Sequence, residues 1–457
     1  MSRYVSIVVV AYVLLAAARA AALTPRRLSF SAPLHDELHW SRAAVADDPQ
    51  RAPCPYVARP VPLGDDAGEH VAAARAATDK LMQATLAAVP AASYIHVSVH
   101  AGGGVLVYDG NAGVVNTSAA APAAPTLDTL FRIGSVTKLM PAIGLFQAVG
   151  ERRVASADAL VSDAARDFAL ADPRTDEAAP VTWRHLAAHL AGLTREAPCP
   201  FAACTIDTRT ALARMRASVW GLCKTPPGTA ASYSNLGIAL LGHLLAERVY
   251  GAPSWRAHNE RAVVHRLGLR ATAFDLAAAR ALPNVLAAAY DAPGREAAHT
   301  DLAWISPAGS VYSTARDLHV LLDALLDAYH NRTAARGAAG VFDAHTASRA
   351  ARDMMAIAEL NTDLTGFASP FEVFVRGGGV RVLSKGGFID QYSTFTAVVP
   401  QLDASIVISA NGAGFTMNDF SMRVADVWLG ALNATYAARA TSAPPPLPPA
   451  RTWRACA

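Results

Sequence analysis

The chain has 457 residues, of which 52% are hydrophobic and 17% are charged. This composition excludes a disordered protein, because the chain holds enough apolar side chains to bury a sizeable core. The 40 Lys and Arg residues exceed the 37 Asp and Glu residues by three and are scattered, so the sequence lacks the basic patch of a nucleic-acid-binding protein.

The first 22 residues have the pattern of a secretory signal peptide. Arg3 precedes an apolar stretch over residues 5–18, and Ala18-Arg19-Ala20 has the small-x-small form of a cleavage site. This stretch is shorter than the ~20 residues that cross a bilayer, although an uncleaved signal anchor is the alternative. We expect a secreted protein that has no membrane span once the signal is removed.

Residues 23–64 contain Pro and Arg without a sustained hydrophobic period, which predicts a surface extension. The folded domain is expected over residues 65–438. Asp66 and Glu69 have the spacing of a capping box, and apolar residues then recur at helical spacing up to Pro90. The domain is therefore predicted to begin with a helix whose apolar stripe packs on a sheet.

The next segments predict a hairpin and then a helical region. Two β-rich runs at 94–100 and 105–108 are joined through three glycines at 102–104, and residues 136–149 follow as a buried helix. From about 151 to 300 the pattern is mainly helical, with few strand-like runs.

Strand patterns return near the end of the chain. They occupy residues 371–375, 380–383, 392–399 and 405–409, and an amphipathic helix follows over 416–437. The order predicts an α+β fold, in which an antiparallel sheet from both ends of the chain is flanked by the N- and C-terminal helices and interrupted by the helical insertion. Residues 439–457 are expected to form a Pro-rich tail.

The cysteine count suits an oxidising compartment and at most two intrachain disulfides. The five cysteines are Cys54, Cys199, Cys204, Cys223 and Cys456. One bridge is expected among Cys199, Cys204 and Cys223, with the pairing left open, because these three lie close together in sequence. A zinc site is the competing interpretation, but the spacing lacks a second close Cys or His pair. Sequons at Asn116, Asn331 and Asn433 permit N-glycosylation.

The most informative segment is Phe131-Arg132-Ile133-Gly134-Ser135-Val136-Thr137-Lys138, where a strand leads into a helix. Residues three apart on a helix share a face, so the Lys138 amine is predicted to reach the Ser135 hydroxyl. A serine needs a neighbouring base to become a nucleophile, and a lysine in a dry site beside another cation has a lowered pKa. Only four of the 40 basic residues are lysines, and among these only Lys138 has a serine three residues before it.

Two later segments strengthen this interpretation. Ser232-Tyr233-Ser234-Asn235 places a phenol and a carboxamide two residues apart, and Ser384-Lys385-Gly386-Gly387-Phe388 places a second lysine beside glycines. The ordered set Ser-x-x-Lys, Tyr-x-Asn and Lys-x-Gly resembles the serine β-lactamase and penicillin-binding-protein superfamily, specifically its class C and related esterase branch. The likeness covers roughly residues 90–435.

This resemblance implies an acyl-enzyme mechanism without a metal or an organic cofactor. Ser135 would be the acylated nucleophile, and Lys138 would share its proton. Tyr233, held near the phenolate form by Lys138 and Lys385, would pass the proton to the leaving group and later activate the deacylating water. Taken singly, Tyr233 also fits a helix cap and Lys385 a strand-edge charge.

The resemblance also assigns substrate-binding positions. Asn235, which taken singly fits an ordinary turn, would hold the amide or ester side chain of the substrate. The backbone N–H groups of Ser135 and Phe388 would form the oxyanion hole. Gly386 and Gly387 would let the substrate approach the strand backbone.

The substrate is predicted from departures from the family pattern. Gly386 replaces a threonine whose hydroxyl helps the family to hold a substrate carboxylate, and Phe388 stands where a small residue is common. We therefore expect an esterase, amidase or transacylase for a small hydrophobic acyl substrate, with a true β-lactamase or D-alanyl peptidase as one alternative. The other alternative is a secreted binding or assembly protein that has the fold without turnover.

Two other patterns are assigned structural roles. His185 and His189 are four residues apart, as in zinc helices, but Leu186 stands where a metalloprotease has its Glu. The glycine triplets at 102–104 and 377–379 lack the strand-to-helix context of a phosphate site and predict turns. No metal site is expected.

Overall fold

The computed structural model describes residues 68–442, apart from gaps at 173, 174, 176, 217–223, 334–339, 363, 364, 377 and 378. Several predictions from the sequence fall outside these residues. They are the signal peptide at 1–22, the extension at 23–64, the capping residue Asp66, the cysteines Cys54, Cys223 and Cys456, two of the glycines at 377–379 and the tail from residue 443 onward.

The centre of the fold is an antiparallel sheet of eight strands, whose order in space differs from their order along the chain. The strands are β1 (Tyr94–Ala101), β2 (Val105–Gly113), β7 (Glu359–Thr362), β8 (Thr365–Phe367), β9 (Glu372–Arg376), β10 (Val380–Ile389), β11 (Tyr392–Val399) and β12 (Ala404–Asn411). Their spatial order is β2-β1-β12-β11-β10-β9-β8-β7. The last strand therefore lies between β1 and β11, which confirms the predicted sheet from both ends of the chain.

Side chains of the sheet alternate between two cores. On β11, Phe395 and Ala397 belong to the core shared with the terminal helices α1 (Gly68–Ala88) and α11 (Met417–Ser442), whereas Val398 belongs to the core of the helical region. This is the period of two that a sheet with both faces covered requires. The resulting three layers match the predicted α+β architecture.

The two terminal helices pack against each other as well as on the sheet. The indole Nε1 of Trp428 on α11 donates a hydrogen bond to Thr78 Oγ1 on α1 over 3.1 Å, and both side chains are fully buried. Helix α11 ends at Ser442, five residues beyond the predicted end at Ala437, and thus runs into the segment assigned to the tail.

The remaining helices lie mainly in the inserted region and beside it. They are α2 (Leu139–Gly150), α3 (Val161–Ala164), α4 (Trp183–Ala187), α5 (Thr208–Arg216), α6 (Asn235–Leu244), α7 (Trp255–Asn259), α8 (Leu276–Arg280), α9 (Ala315–Tyr329) and α10 (Ala347–Met354). Two π-helical segments, Leu245–Val249 and Glu260–His265, continue α6 and α7.

Four short strands lie outside the main sheet, and of these only the strand that precedes Ser135 was predicted. The pair β3 (Leu130–Arg132) and β6 (Tyr312–Thr314) and the pair β4 (Tyr290–Ala292) and β5 (Arg295–Glu296) have two or three residues each. Such lengths are too short to show an alternating pattern.

The glycines between β1 and β2 form the predicted turn. Gly102, Gly103 and Gly104 have φ values of 61°, 90° and 81°, a left-handed conformation that glycine adopts without a steric cost. Among the described residues, no helix has both the length and the apolar character that crossing a bilayer requires.

Candidate active site

Ser135 lies on a single 3₁₀ turn, Gly134–Lys138, between β3 and α2. The sequence predicted an α-helix here, but the α-helix begins only at Leu139. The 3₁₀ turn aligns the side chains of Ser135 and Lys138, because residues three apart eclipse each other in a 3₁₀ helix. Lys138 Nζ lies 2.9 Å from Ser135 Oγ, as the spacing predicted.

The 3₁₀ turn lies directly against strand β10, and two glycines make this approach possible. Gly134 has φ +51°, and a Cβ atom on it would lie 2.9 Å from the backbone N of Phe388. A Cβ on Gly387 would lie 2.1 Å from the carbonyl oxygen of Ile133 and 3.0 Å from the backbone N of Ser135. Side chains are therefore excluded at both positions, and the backbone N–H groups of Ser135 and Phe388 belong to adjoining segments.

Lys138 is fully buried and all three of its N–H bonds have acceptors. Besides Ser135, its Nζ donates to Asn235 Oδ1 at 2.9 Å and to the carbonyl oxygen of Ala308 at 2.6 Å. Burial lowers the pKa of Lys138 from 10.5 to about 8, and the positive charge of Lys385 acts in the same direction. The group is thus an ammonium that loses its proton near the upper end of the physiological pH range.

Tyr233 stands at the entry to helix α6, where Ser234 is the N-cap residue and accepts a hydrogen bond from the N–H of Gly237. The phenol Oη lies 2.7 Å from Ser135 Oγ. Burial by itself raises the pKa of a phenol, but the positive charges of Lys138 and Lys385 outweigh burial and lower the pKa of Tyr233 to about 8.

Lys385 approaches the same phenol from strand β10. Its Nζ lies 5.0 Å from the centre of the Tyr233 ring, the same distance as that of Lys138 Nζ. A carboxylate that the sequence analysis did not identify, Glu372 on β9, forms an ion pair with Lys385 at 2.6 Å. Burial lowers the pKa of Lys385, but the charges of Glu372 and Tyr233 outweigh it and raise the pKa above its usual range.

The four groups are electrically balanced in the state in which Tyr233 is a phenolate. The phenolate and the Glu372 carboxylate then offset the two ammonium groups of Lys138 and Lys385. Because isolated charges are costly to bury, two lysines that are each at most 1% exposed favour this state of the phenol beside them.

Asn235 has contacts beyond its predicted contact with substrate. Its Oδ1 accepts from Lys138, and its Nδ2 donates to both carboxylate oxygens of Glu196, at 3.2 and 3.1 Å. Neither Glu196 nor its neighbour Arg195, whose Nε lies 3.1 Å from Glu196 Oε1, was predicted from the sequence. The Arg195 guanidinium carbon is 4.9 Å from the centre of the Tyr233 ring.

A cleft of about 290 Å³ opens beside Ser135. Its lining includes the polar side chains of Arg195, Glu196 and Asn235. The large apolar side chains of the lining are those of Phe201, Leu302, Phe388 and Ile389. Of the predicted substrate-binding residues, Asn235 and Phe388 line this cleft, and Gly386 and Gly387 precede Phe388 on the same strand.

The two histidines with zinc-helix spacing are separated by the end of helix α4. His185 completes a capping box with Thr182 at the start of that helix. His189 lies beyond the helix with φ +62°, and its ring stacks on Tyr233 with the ring centres 4.4 Å apart. Burial, reinforced by the positive charge of Lys385, holds the pKa of His189 well below its usual range, so this ring is neutral.

The predicted disulfide joins Cys199 and Cys204. It closes the short loop that carries Phe201 to the mouth of the cleft.

A family model described as Beta-lactamase matches residues 79–427. The chain belongs to the beta-lactamase family. This assignment places the Ser135 turn, Tyr233 and Lys385 within the matched region, and it confirms the resemblance drawn from the three motifs.

Individual proteins agree with this family membership. The Homo sapiens protein beta-lactamase-like 1 is 30% identical over 397 residues, which are 85% of this chain and 74% of the human protein. The octameric penicillin-binding protein homologue from Pyrococcus abyssi superposes with a TM-score of 0.61 at 21% identity, covering 79% of this chain and 77% of its own.

A class C beta-lactamase from Rhodobacter sphaeroides superposes with a TM-score of 0.55 at 22% identity, over 81% of this chain and 99% of its own. At these identities the structural likenesses establish the fold. The serine β-lactamase and penicillin-binding-protein fold is thus shown for this beta-lactamase-family chain.

Proposed function

We propose that this protein is a secreted serine hydrolase or acyltransferase that forms an acyl-enzyme on Ser135. One observation carries the proposal. The Ser135 hydroxyl oxygen lies within hydrogen-bonding distance of both Lys138 Nζ, at 2.9 Å, and Tyr233 Oη, at 2.7 Å. A hydroxyl between an ammonium and a phenol of lowered pKa is arranged for activation as a nucleophile.

In the acylation step, Tyr233 as phenolate takes the proton of Ser135. Because all three N–H bonds of Lys138 point to acceptors, Lys138 acts as a charged donor, and the phenolate is the base. Ser135 Oγ then attacks the carbonyl carbon of the substrate. The negative charge that develops on the carbonyl oxygen is held by the N–H groups of Ser135 and Phe388.

Collapse of this intermediate releases the leaving group. The bond from the carbonyl carbon to the leaving oxygen or nitrogen breaks, and Tyr233 returns its proton to that atom. A water or an acceptor alcohol then gives its proton to Tyr233 and attacks the ester on Ser135. Release of Ser135 Oγ, reprotonated from Tyr233, completes hydrolysis or transfer.

We propose small esters or amides with an apolar acyl group as substrates. Gly386 provides no hydroxyl for a substrate carboxylate, and four large apolar side chains line the cleft. Both features favour uncharged substrates over β-lactams and D-alanyl peptides. Introducing the hydroxyl as Gly386→Thr is expected to raise turnover of the β-lactam nitrocefin relative to p-nitrophenyl acetate.

Secretion is part of the proposal. The signal-peptide pattern at residues 1–22 is supported by the Cys199–Cys204 disulfide, because disulfides persist mainly in oxidising compartments. We also propose N-glycosylation at Asn331 and Asn433, whose side chains are exposed. Asn116 is a poorer acceptor site, because its Oδ1 accepts a hydrogen bond from the hydroxyl of Tyr290.

A fluorophosphonate probe followed by peptide mapping tests the acyl-enzyme proposal. Labelling is expected on Ser135, and Ser135→Ala is expected to abolish both labelling and hydrolysis of p-nitrophenyl butyrate. Ser156→Ala, which removes an exposed serine outside the cleft, is the matched control and should behave like the wild type.

Each alternative has its own outcome in this experiment. Absence of an adduct on Ser135 in the folded protein would favour a binding or assembly protein. Efficient hydrolysis of nitrocefin or a D-alanyl peptide, together with inactivity on esters, would favour a true β-lactamase or D-alanyl peptidase.

A further inference from the structure

Two phenylalanine side chains are exposed at the mouth of the cleft beside Ser135. Phe201 is 42% exposed and Phe388 is 62% exposed, and both line the cleft. The other exposed large hydrophobic side chains of the described residues are Val and Leu. Exposed apolar surface that gathers in one place marks a binding site more often than chance exposure does. The two rings therefore indicate an apolar ligand.

Two buried apolar side chains line the same cleft. Leu302 is 1% exposed and Ile389 is 7% exposed. A group that enters the cleft thus meets hydrocarbon from these two side chains as well as from the two exposed rings. Burying such a group stabilises the complex in proportion to the apolar area removed from water.

The loop that carries Phe201 is held in place by covalent and hydrogen bonds. The Cys199–Cys204 disulfide closes it. The N–H of Ala203 donates to the carbonyl oxygen of Asp301 at 2.8 Å, and the N–H of Trp304 donates to the carbonyl oxygen of Cys204 at 3.1 Å. Because Asp301 and Trp304 lie on either side of Leu302, the loop is connected to the segment that carries Leu302 into the lining of the cleft.

The lining of the cleft includes neither Tyr233 nor Lys385, although both residues are described. In the proposed mechanism Tyr233 returns the proton to the leaving group, which places the leaving group on the Tyr233 side of Ser135 and leaves the cleft to the acyl part. The charged residues of the lining, Arg195 and Glu196, pair with each other at 3.1 Å and thus present little net charge to that group.

We propose that Phe201, Leu302, Phe388 and Ile389 form an acyl-chain subsite for uncharged, linear aliphatic acyl groups. This inference rests on the acyl-enzyme function proposed above and names its substrate class. A volume of about 290 Å³ is at the small end of ligand pockets. The subsite therefore favours short and medium chains, and the disulfide-closed loop sets the position of its outer wall.

The test compares kcat/KM for p-nitrophenyl acetate, butyrate, hexanoate and octanoate, which share one leaving group. For the wild type we expect a rise of about fourfold per added methylene until the cleft is full, the factor that corresponds to burying one CH₂. Phe201→Ala should lose at least tenfold more activity on hexanoate than on acetate. The double variant Cys199→Ser/Cys204→Ser should also weaken the dependence of kcat/KM on acyl-chain length, as Phe201→Ala does.

Two further variants keep the test independent of folding. Phe201→Leu retains an apolar side chain and should give an intermediate dependence on chain length. Leu106→Ala on β2 removes a side chain that is 43% exposed, like Phe201, but lies outside the cleft. It should retain the wild-type dependence. Thermal melting of each variant identifies any that fails to fold.

The outcomes separate the subsite from the underlying function. If Ser135 is labelled by the fluorophosphonate but the chain-length dependence is flat, or is unchanged in Phe201→Ala and Phe201→Leu, the subsite is refuted and the acyl-enzyme stands. If the wild type is neither labelled nor active, binding of octanoate by calorimetry replaces the kinetic test. If octanoate then binds at least tenfold more tightly than acetate, and this preference is lost in Phe201→Ala, the apolar subsite is supported although the acyl-enzyme function is refuted. If octanoate and acetate bind equally, the subsite is refuted together with the acyl-enzyme function.

Discussion

The replacement Tyr233→Phe tests the proposed base with the smallest structural change. Only the phenol oxygen is lost. The ring keeps its stacking on His189 at 4.4 Å and its position 5.0 Å from each of Lys138 Nζ and Lys385 Nζ. We therefore expect Tyr233→Phe to fold and to keep the cleft, so that a change in rate reports on the chemistry.

The magnitude follows from the contact that is removed. Tyr233 Oη is 2.7 Å from Ser135 Oγ, and positioned general bases contribute about 10²–10⁴ in rate. The expected loss of kcat/KM corresponds to about 3–5 kcal/mol in the activation barrier. Substrate binding, judged from KM under conditions of slow chemistry, should change much less.

The pH dependence has a predicted shape and sign. The rate of the wild type should fall as the pH drops below about 8, because Tyr233, with a pKa of about 8, becomes a neutral phenol. It should also fall at higher pH, where Lys138, with a pKa of about 8, loses its charge. The profile is therefore a narrow bell centred near pH 8. Its two apparent pKa values belong to the coupled pair of Tyr233 and Lys138 rather than to either residue alone. The Tyr233→Phe variant should lack the acid limb.

The assay is kcat/KM for p-nitrophenyl butyrate from pH 5.5 to pH 10, together with the rate of fluorophosphonate labelling. Tyr250→Phe, which removes a phenol oxygen outside the cleft, is the matched control and should retain the wild-type profile. Activity of Tyr233→Phe within threefold of the wild type, with an unchanged acid limb, would refute the role of the phenolate.

Two further predictions concern residues that hold the site. Gly387→Ala should lower kcat/KM by about 100-fold or more, since its Cβ would lie 2.1 Å from the Ile133 carbonyl oxygen and force β10 away from the Ser135 turn. Gly144→Ala, whose Cβ would have only ordinary contacts, is the control for that kinetic measurement. Glu372→Gln should move the acid limb of the pH profile to lower pH, because the carboxylate no longer offsets the charge of Lys385, which then stabilises the Tyr233 phenolate more strongly. Glu372→Asp, which keeps the carboxylate, should retain the limb close to that of the wild type, and an acid limb that moves to higher pH in Glu372→Gln would contradict the reasoning.

The local part of the site was predictable because it depends on spacing alone. Ser135 and Lys138 are three residues apart, and any helical turn brings their side chains together. Tyr233 and Lys385 reach the same serine from far along the chain. Their convergence was inferred from the order of motifs in a known family, since no local pattern specifies it.

The acidic partners of the site were missed because they depend on strand register and loop path. Glu372 pairs with Ser384 across β9 and β10, one residue before Lys385. A register assigned from the glycine-rich sequence at 377–379 would have placed this carboxylate beside the lysine. Glu196 lies on a loop, and neither a hydrophobic period nor a turn motif predicts its contact with Asn235.

The long elements were predicted well and the short ones poorly. The strand patterns at 94–100 and 392–399 lie within β1 and β11, because eight residues suffice to display alternation or continuous burial. At the opposite edge, β8 has three residues and contains Gly366. Its position is fixed by pairing with β9, a tertiary contact that leaves no mark on local sequence.

The placement of β12 inside the sheet determines when the domain can complete its folding during synthesis. Asn411 at the end of β12 accepts a hydrogen bond from the N–H of Ser93, 318 residues earlier, and β1 and β11 are joined only through this late strand. A nascent chain that has not yet released residues 404–411 from the ribosome exposes the unpaired edges of both neighbours. Premature termination before this segment therefore yields a chain with an open sheet, a state that exposes strand edges to aggregation and degradation.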